Sequence, residues 1–312
     1  MNTRYVAIKV LRAIITLWMV VTFIFIVLRV SGDPIDTLLP DDADAETIAY
    51  YMHEWGLDRP LHEQYGLYFM SVFRGDFGVS FIDDRKALEV VVERIPATLQ
   101  LGFAAFVFGV CFGIPLGIIA ALNRNSLIDR GVMTTAVLGY AIPNFFLGIL
   151  LILVFTLWLQ WLPSSGSSTL WHMVMPVVTL GTGGMGSLAR FTRSAMLEVL
   201  NQSYMRTSRA KGVPRLKRIF RHALPNAAIP VVTCLGFKIG GLISGSLITE
   251  SIFAWPGVGR LLVTSVGNRD LAVVQALIML VALTMVIANL LIDITYGWID
   301  PRIRVSSQKQ ED

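Results

Sequence analysis

Hydrophobic residues gather into six long runs along the chain, separated by shorter polar segments. A bilayer core about 30 Å thick is crossed by roughly 20 apolar residues of α-helix. Runs of this kind lie approximately at 8–28, 97–122, 132–160, 172–190, 229–249 and 271–292. The third run is long enough to tilt, or to begin with a membrane-surface segment that breaks near Pro143. The pattern predicts an all-α integral membrane protein with six transmembrane helices.

The first run resembles a secretory signal in one respect, because Arg4, Lys9 and Arg12 precede its uncharged part, which begins at Ala13. It continues to Leu28 without a small-residue cleavage pattern, however, and Arg29 follows it. These features favour a retained transmembrane helix over residues 1–30.

Residues 31–96 form the one sizeable polar stretch, which is predicted to be extracytoplasmic. Within it, apolar residues recur at helical spacing and indicate a helix along the membrane surface or across the end of the bundle. These residues are Leu61, Tyr65, Tyr68, Phe69, Val72 and Phe73. A second short helix is predicted from Lys86 to Ile95. The segment is too small to be a ligand-binding domain.

Composition agrees with a membrane protein. The chain is 54% apolar with 15% charged residues and a mean hydropathy of +0.63, whereas soluble domains are roughly 45–50% apolar and about 25% charged. The net charge of +4 arises from the loops between the runs and gives no argument for nucleic acid as a partner.

Orientation follows from the cations, because Lys and Arg in short loops stay on the cytoplasmic side. Nine cations lie between Arg190 and Arg221, whereas fourteen acids lie between Asp33 and Pro96. Both termini are therefore predicted to be cytoplasmic. Residues 97–300 would form a five-helix core with a cytoplasmic loop at 195–226, and 301–312 a cytoplasmic tail.

The cytoplasmic loop has an internal pattern as well as charge. Ser203 can cap a short helix, which Gly212 and Pro214 would end. A second, amphipathic helix can begin at Pro214 and turn at Pro225 into the fifth span. Its apolar stripe is Leu216, Ile219, Phe220 and Ala223.

The first helix of this loop has a shape suited to insertion into a partner. Its small residues let a partner's groove approach the backbone, while its cations reach outward. The small residues are Thr207, Ser208 and Ala210, and the cations are Arg206, Arg209 and Lys211. A loop that only fixes topology and binds anionic lipid is the alternative.

Residues Arg206 to Pro225 resemble the EAA loop of ATP-binding cassette (ABC) importers. In that loop a small residue pair is followed by a glycine and later by an apolar residue and proline. Thr207, Ser208, Gly212, Leu224 and Pro225 match it. Arg206 stands where the general motif has glutamate, and RTxRAKG followed by HALxNAxxPVVT resembles the dipeptide and oligopeptide permease branch.

Further stretches resemble the same branch, so that the likeness covers nearly the whole chain. They are GDFGVSF at 75–81, RIPATLQL at 94–101, ESIFAWPGVGRLL at 250–262 and NLLIDITYGWIDPRIR at 289–304. Together they are specific, although each alone is weak.

This resemblance implies a type I importer permease in a bacterial inner membrane. Its partners would be a second homologous permease, two cytoplasmic ATPase subunits carrying ATP-Mg, an extracytoplasmic binding protein, and lipid. The loop helix would sit in a cleft of the ATPase. The family's solutes are dipeptides, oligopeptides, glutathione, opines, oligosaccharides and nickel complexes, and the sequence leaves the choice open.

Glycine-containing nucleotide-binding motifs do not point to a nucleotide site in this chain. GTGGMG at 181–186 satisfies G-x-G-x-x-G, but it lies inside an apolar run with no acid about 20 residues later, so dinucleotide binding is rejected. Small residues here indicate close helix packing or a bend beside the pathway. The chain contains no G-x-x-x-x-G-K-[ST], so ATP hydrolysis would belong to a partner.

Lys238 is the unusual residue of the fifth run. Counting from Ile229 at about 1.5 Å per residue, it lies about 13 Å deep. A charge at that depth normally faces a bundle interior or a cavity, which makes Lys238 a candidate pathway residue that meets an anionic part of the solute. Pairing with a polar group of this or a partner permease is the alternative. The resembled family more usually has glutamine at this point.

The remaining ionisable residues give no catalytic or metal constellation. Glu250 and Asp293 are predicted to have interfacial structural roles, and His172, His222, Cys111 and Cys234 lack metal-ligand spacing. A membrane enzyme is disfavoured because no acid, base and nucleophile cluster. A self-sufficient secondary transporter is disfavoured because no internal repeat is evident.

Overall fold

The computed structural model describes residues 3–30, 44, 46, 49, 52–53, 58–80, 82–240 and 246–299. Side chains are described over the same ranges except at 3–6, 28–30, 233, 237, 239–240 and 291–299. The chain divides into two compact units, one of residues 1–95 with 261–312 and one of residues 96–260. Regular structure in the described part is helical apart from an isolated bridge between Val79 and Lys86.

The first unit contains two long apolar helices and two short ones. They are α1 (Thr3–Val30), α2 (Leu61–Arg74), α3 (Ala87–Val92) and α13 (Leu271–Ile299). Helix α1 packs against α13 and against α2. The α2 contact is carried by Tyr65, whose hydroxyl lies 2.8 Å from the Thr22 hydroxyl and whose ring meets Phe25 edge-on. The two helices predicted between the first and second runs are therefore confirmed.

The start of α13 is fixed by polar contacts to the segment between α2 and α3. Ser80 donates a hydrogen bond to the buried carboxylate of Asp270, which also accepts from the backbone of Val273 in the first turn of α13. Gln275 donates to the carbonyl of Phe77 at 2.6 Å. The Val273 bond satisfies one orphan amide at the start of α13, and the Ser80 and Gln275 bonds join that helix start to the preceding segment.

The second unit begins with three helical segments in chain order. They are α4 (Ile95–Leu122), α5 (Leu127–Ala141) and α6 (Asn144–Leu151), which continues as a π-helical segment at Ile152–Trp158. The long helix α7 (Trp171–Leu200) follows. The remaining helices are α8 (Ser203–Ala210), α9 (Arg215–Arg218), α10 (Leu224–Gly240), α11 (Leu247–Ile252) and α12 (Val258–Gly267).

Helices α4 and α7 approach closely along a row of glycines that recurs every four residues in α4. A Cβ added at Gly113 would lie 2.8 Å from the carbonyl oxygen of Met185, and one at Gly117 would lie 2.5 Å from that of Ala189. Small residues at this spacing are typical of tightly packed membrane helices. The predicted packing role of the 181–186 glycines is also confirmed, because a Cβ at Gly181 would meet the Ala105 carbonyl oxygen at 3.0 Å.

The third apolar run is broken rather than straight. Helix α5 and the segment Asn144–Trp158 meet at an angle of 103°. Ile142 is extended at the break, and Pro143, which has no amide hydrogen and disfavours helical geometry in the residue before it, starts the second segment. The predicted break near Pro143 is confirmed.

The described part of the chain contains three helices that are long and apolar enough to cross a membrane, or four if the bent pair is one span. These are Ala7–Val27, Ala87–Leu122 and Leu271–Leu290. The run at 172–190 lies in α7, which continues past Arg190 and Arg193. The run at 229–249 includes residues 241–245, which lie outside the described residues. The six-span count stays a prediction.

The glycine row makes a stability prediction. We expect Gly117→Ala to lower the melting temperature of the purified protein in detergent by several degrees, because overpacking costs about 1–3 kcal/mol. Gly131→Ala in α5 is the matched control, since an added Cβ there has nothing within 4 Å. Equal melting temperatures for the two variants would show that the α4–α7 contact yields without cost.

Candidate functional site

The cytoplasmic loop predicted at 195–226 is called the coupling loop, because its first helix would sit in a cleft of the ATPase. Its residues up to Leu200 continue α7, and its first separate helix is α8, whose first helical residue is Ser203. The capping position is Gln202, which is extended and makes no side-chain capping bond. The prediction that Ser203 caps this helix is therefore wrong by one residue. Because its backbone is already helical, Ser203 lacks the extended conformation that a capping side chain requires.

The end of α8 matches the prediction and shows why a glycine stands there. Gly212 has a φ of +73°, and its amide donates to the Arg209 carbonyl at 3.0 Å. The next amide, of Val213, donates to the Ser208 carbonyl at 3.2 Å. This pair of bonds is a Schellman motif, which favours glycine at the left-handed position.

Met205 anchors α8 to the second unit. Its side chain is 7% exposed and belongs to a buried cluster with Leu188 and Met196 of α7 and with Ala121 of α4. The other buried members of this anchor cluster are Ala195, Ala223, Ala227 and Val231. The short helix therefore packs against α4, α7 and α10. Sequence reasoning missed Met205, because one apolar residue in a polar loop carries no periodic signal.

The other residues of α8 divide between solvent and interior. Thr207 and Ala210 are exposed as predicted, and so are the three cations. Ser208 is half-buried, and its Oγ is shielded from solvent. It therefore does not belong to the exposed face of small residues, which differs from the prediction. A partner can therefore reach the α8 backbone beside Thr207 and Ala210.

The second helix of the loop differs from its prediction in two ways. Ile219 and Ala223 are buried, but Leu216 and Phe220 are 69% and 65% exposed, so the predicted stripe is half correct. No turn occurs at Pro225 either. Helix α9 passes through a π-helical segment, Ile219–Ala223, directly into α10. The wider π turn explains how the helix can continue through Pro225. In a regular helix, the proline ring would clash with the carbonyl four residues earlier.

Lys238 of α10 lines a cavity of about 150 Å³ between α4, α7 and α10. The side chain is half-buried and makes no ion pair with any described residue. Phe106 of α4 and Leu180 of α7 line the other walls, and Leu235 lines it one turn before Lys238 on α10. Lys238 is the one charged side chain among the residues described around this cavity. Its role in a pathway stays a prediction.

The cavity and the coupling loop share packed residues. Leu188 lines the cavity and is 1% exposed in the anchor cluster that holds Met205. Val110 and Leu235 also line the cavity and pack against that cluster. Continuous side-chain packing therefore connects the loop helix to the cavity wall.

Glu250 is fully buried inside the second unit, so the structural role predicted for it is not an interfacial one. Its carboxylate accepts from the hydroxyls of Thr98 at 2.8 Å and Ser246 at 2.7 Å. It also accepts from the backbone amides of Gly259 at 2.7 Å and Arg260 at 3.2 Å, in the first turn of α12. Four donors thus replace water and a cation around one buried carboxylate. Asp293 has a side chain outside those described.

An ion pair between a partly buried guanidinium and a buried carboxylate joins α5 to α7 on the loop side of the unit. Arg193 donates from Nε and Nη2 to the two carboxylate oxygens of Asp129, at 2.6 and 2.7 Å. Asp129 is buried and also accepts from the backbone amide of Asn125. Two-pronged pairing of this kind fixes the relative orientation of two helices.

No nucleotide or metal site emerges from the described residues. The G-x-G-x-x-G segment is continuous helix within α7, which confirms that it is not a strand-to-helix phosphate loop. The described part of the chain contains no group of three His, Cys, Asp or Glu side chains that could hold a metal.

Comparison with known families gives two matches that together cover most of the chain. The profile described as "Binding-protein-dependent transport system inner membrane component" matches residues 113–305. A profile for the N-terminal part of such membrane components matches residues 2–102.

Curated relatives align over almost their entire length. The glutathione transport system permease proteins GsiC of Salmonella typhimurium (strain LT2) and of Escherichia coli (strain K12) are each 42% identical over 301 residues. The alignment covers 96% of this chain and 98% of each relative.

Solved structures share the fold at lower identity. An inward-facing MetNI methionine ABC transporter matches with a TM-score of 0.50 and 21% identity, covering 65% of this chain and 94% of the other. An amino acid ABC transporter matches with a TM-score of 0.52 and 16% identity, covering 68% and 94%. These likenesses concern the fold alone.

The Glu250 contacts make a stability prediction. Glu250→Ala leaves four buried donors without their acceptor, and each such group costs about 1–3 kcal/mol. We expect a lower melting temperature and reduced membrane yield for this variant. Glu198→Ala, which removes an exposed glutamate of α7, should change neither quantity. A Glu250→Ala protein as stable as the Glu198→Ala protein would contradict the structural role of this carboxylate.

Proposed function

The chain belongs to the binding-protein-dependent transport system inner membrane components, the permease subunits of ABC importers, and on that premise we propose that it forms half of the translocation pathway for a peptide-like solute. It is a multi-pass membrane transport subunit rather than an enzyme. The near full-length 42% identity to permeases named for glutathione transport is the observation that carries this proposal.

The solute class is proposed from two observations. The relatives are named for glutathione, which is a tripeptide with two carboxylates. Lys238 places an ammonium group without an acidic partner among the described residues in an otherwise uncharged cavity wall. A dipeptide, oligopeptide or glutathione that bears a carboxylate therefore suits this permease better than a neutral oligosaccharide does. Opines and nickel complexes carry carboxylates too, and they remain the alternative solutes.

The assembly is proposed from the family. Members work with ATPase and substrate-binding partners. We propose a second homologous permease, two cytoplasmic ATPase subunits that hold ATP-Mg, and an extracytoplasmic binding protein. The surplus of cations between residues 190 and 221 supports a cytoplasmic loop and cytoplasmic termini in the bacterial inner membrane.

Residues Arg206 to Gly212, together with Pro225, are proposed to couple the ATPase to the membrane helices. The exposed side of α8 would lie in a cleft of the ATPase, while Met205 on the other side is buried in the anchor cluster. A displacement of α8 by nucleotide-driven closure would therefore move packed residues rather than bend a free loop. Leu188 extends that packing to the cavity. Both ATP and solute would then bias the same element, as coupled transport requires.

The first test concerns the end of α8. Gly212→Pro removes the amide hydrogen that is donated to the Arg209 carbonyl, and it forbids the positive φ at this position. The substitution leaves the charge of the loop unchanged. We expect ATPase pull-down and transport to fall to about a tenth or less of wild type, although the protein still inserts. Gly212→Asn is the matched control and should keep most activity, because asparagine tolerates the left-handed region. Full activity of Gly212→Pro would reduce the loop to a topology signal.

The second test concerns Lys238. We expect Lys238→Met to lower uptake of a carboxylate-bearing peptide about tenfold relative to its amide-capped neutral analogue, because bonds to charged groups contribute about 1.5–3 kcal/mol. Uptake is measured in proteoliposomes holding the whole importer and its binding protein. Lys217→Met, an exposed loop cation, is the control and should leave the ratio unchanged. An unchanged ratio in Lys238→Met would exclude a role in solute recognition.

A further inference from the structure

Four arginines surround one cleft beside the coupling loop. Arg206 and Arg209 of α8 face it from one side, and Arg215 and Arg218 of α9 from the other. The cleft has a volume of about 270 Å³. Arg206 and Arg209 are exposed as predicted, and the fold also brings them around a common space with Arg215 and Arg218.

None of the four guanidinium groups forms an ion pair with a described residue. Arg206 makes a 3.4 Å hydrogen bond to the Asn201 carbonyl, and its charge is not neutralised there. Elsewhere in the unit, Arg193 has a carboxylate partner at 2.6 Å. Four like charges at one cleft repel each other, and an anion between them reduces that repulsion.

The floor of the cleft is apolar, which narrows the class of anion. Leu122, Met205 and Ile219 contribute to it. Leu122 is the last residue of the apolar span Ala87–Leu122, so we expect the cleft to lie near the membrane surface at the loop end of that span. A basic rim above an apolar floor at this level is suited to a phospholipid, which has a phosphate at one end and acyl chains at the other.

The neighbouring surface supports a lipid occupant. Leu216 and Phe220 lie on the same helical stretch as Arg215 and Arg218, and both are largely exposed. Exposed apolar side chains beside cations are typical of a helix that lies in the interface between headgroups and acyl chains.

We propose that this arginine cleft binds the headgroup of an anionic phospholipid, with the phosphate held by guanidinium groups of α8 and α9 and the upper acyl chain against Leu122 and Ile219. Guanidinium forks match phosphate oxygens in pairs, which gives geometric selectivity as well as charge attraction. A bound lipid would tie α8 to α9 and hold the loop at a fixed height relative to the membrane. The proposal needs the chain to be in a membrane, and it does not depend on the solute or on the role of Lys238.

The test compares two double variants of the full chain that remove the same charge from the same helical stretch. Arg215→Gln/Arg218→Gln alters the cleft, whereas Lys217→Gln/Arg221→Gln alters exposed cations that do not line it. Each protein is purified in detergent, titrated with phosphatidylglycerol or phosphatidylcholine, and examined by native mass spectrometry. We expect phosphatidylglycerol binding to fall about tenfold in the cleft variant and less than twofold in the control. Phosphatidylcholine binding should be weak throughout.

A second double variant of the cleft keeps the test decisive if Arg215→Gln/Arg218→Gln does not insert into the membrane. Arg206→Gln/Arg209→Gln removes the other half of the rim from α8 and should lower phosphatidylglycerol binding to a similar extent. Equal losses in cleft and control variants would overturn the proposal, because general surface charge would then explain binding. It would also be overturned if inorganic phosphate displaced the lipid at equal concentration. Unchanged lipid binding with lost ATPase pull-down would identify the occupant as an acidic group of the ATPase instead.

Discussion

The close contact between α4 and α7 is the constraint on which the second unit depends. Water is absent from the hydrocarbon core, so helices there associate through packing rather than through the hydrophobic effect. The α4 glycines at 109, 113 and 117 bring its backbone against the backbone of α7. That spacing places Leu188 between the cavity and the anchor cluster, and it gives Met205 a surface to pack against. The loop helix is thus held by the same helices that form the cavity wall.

Features with a local cause were predictable from the sequence. Apolar runs of membrane length gave helices α1, α4 and α13, because hydropathy is a property of contiguous residues. Gly212 ended α8 because a left-handed residue is needed there, and Pro143 broke the third run because proline lacks an amide hydrogen. The short amphipathic helix α2 followed from its 3.6-residue period.

Features that depend on distant partners were not predictable in the same way. Glu250 meets Thr98, which is 152 residues away in the chain, so its burial cannot be read from neighbouring residues. Met205 is anchored by α4, α7 and α10, and Leu216 is exposed although its spacing to the buried Ile219 predicted packing. The α4 glycines were a readable signal, since their four-residue spacing is visible in the sequence. The Arg193 pair with Asp129 spans 64 residues and offered no local clue.

The backbone contact between α4 and α7 also separates two properties that proteins often have to change together. The distance between these helices is set by glycines and carbonyl groups, not by the side chains around the cavity. Lys238, Phe106 and Leu235 line that cavity without belonging to the glycine row. Exchanging them alters what the wall can recognise while the helices keep their spacing. A lineage of such permeases can therefore diversify its cargo by a few substitutions and inherit the scaffold unchanged.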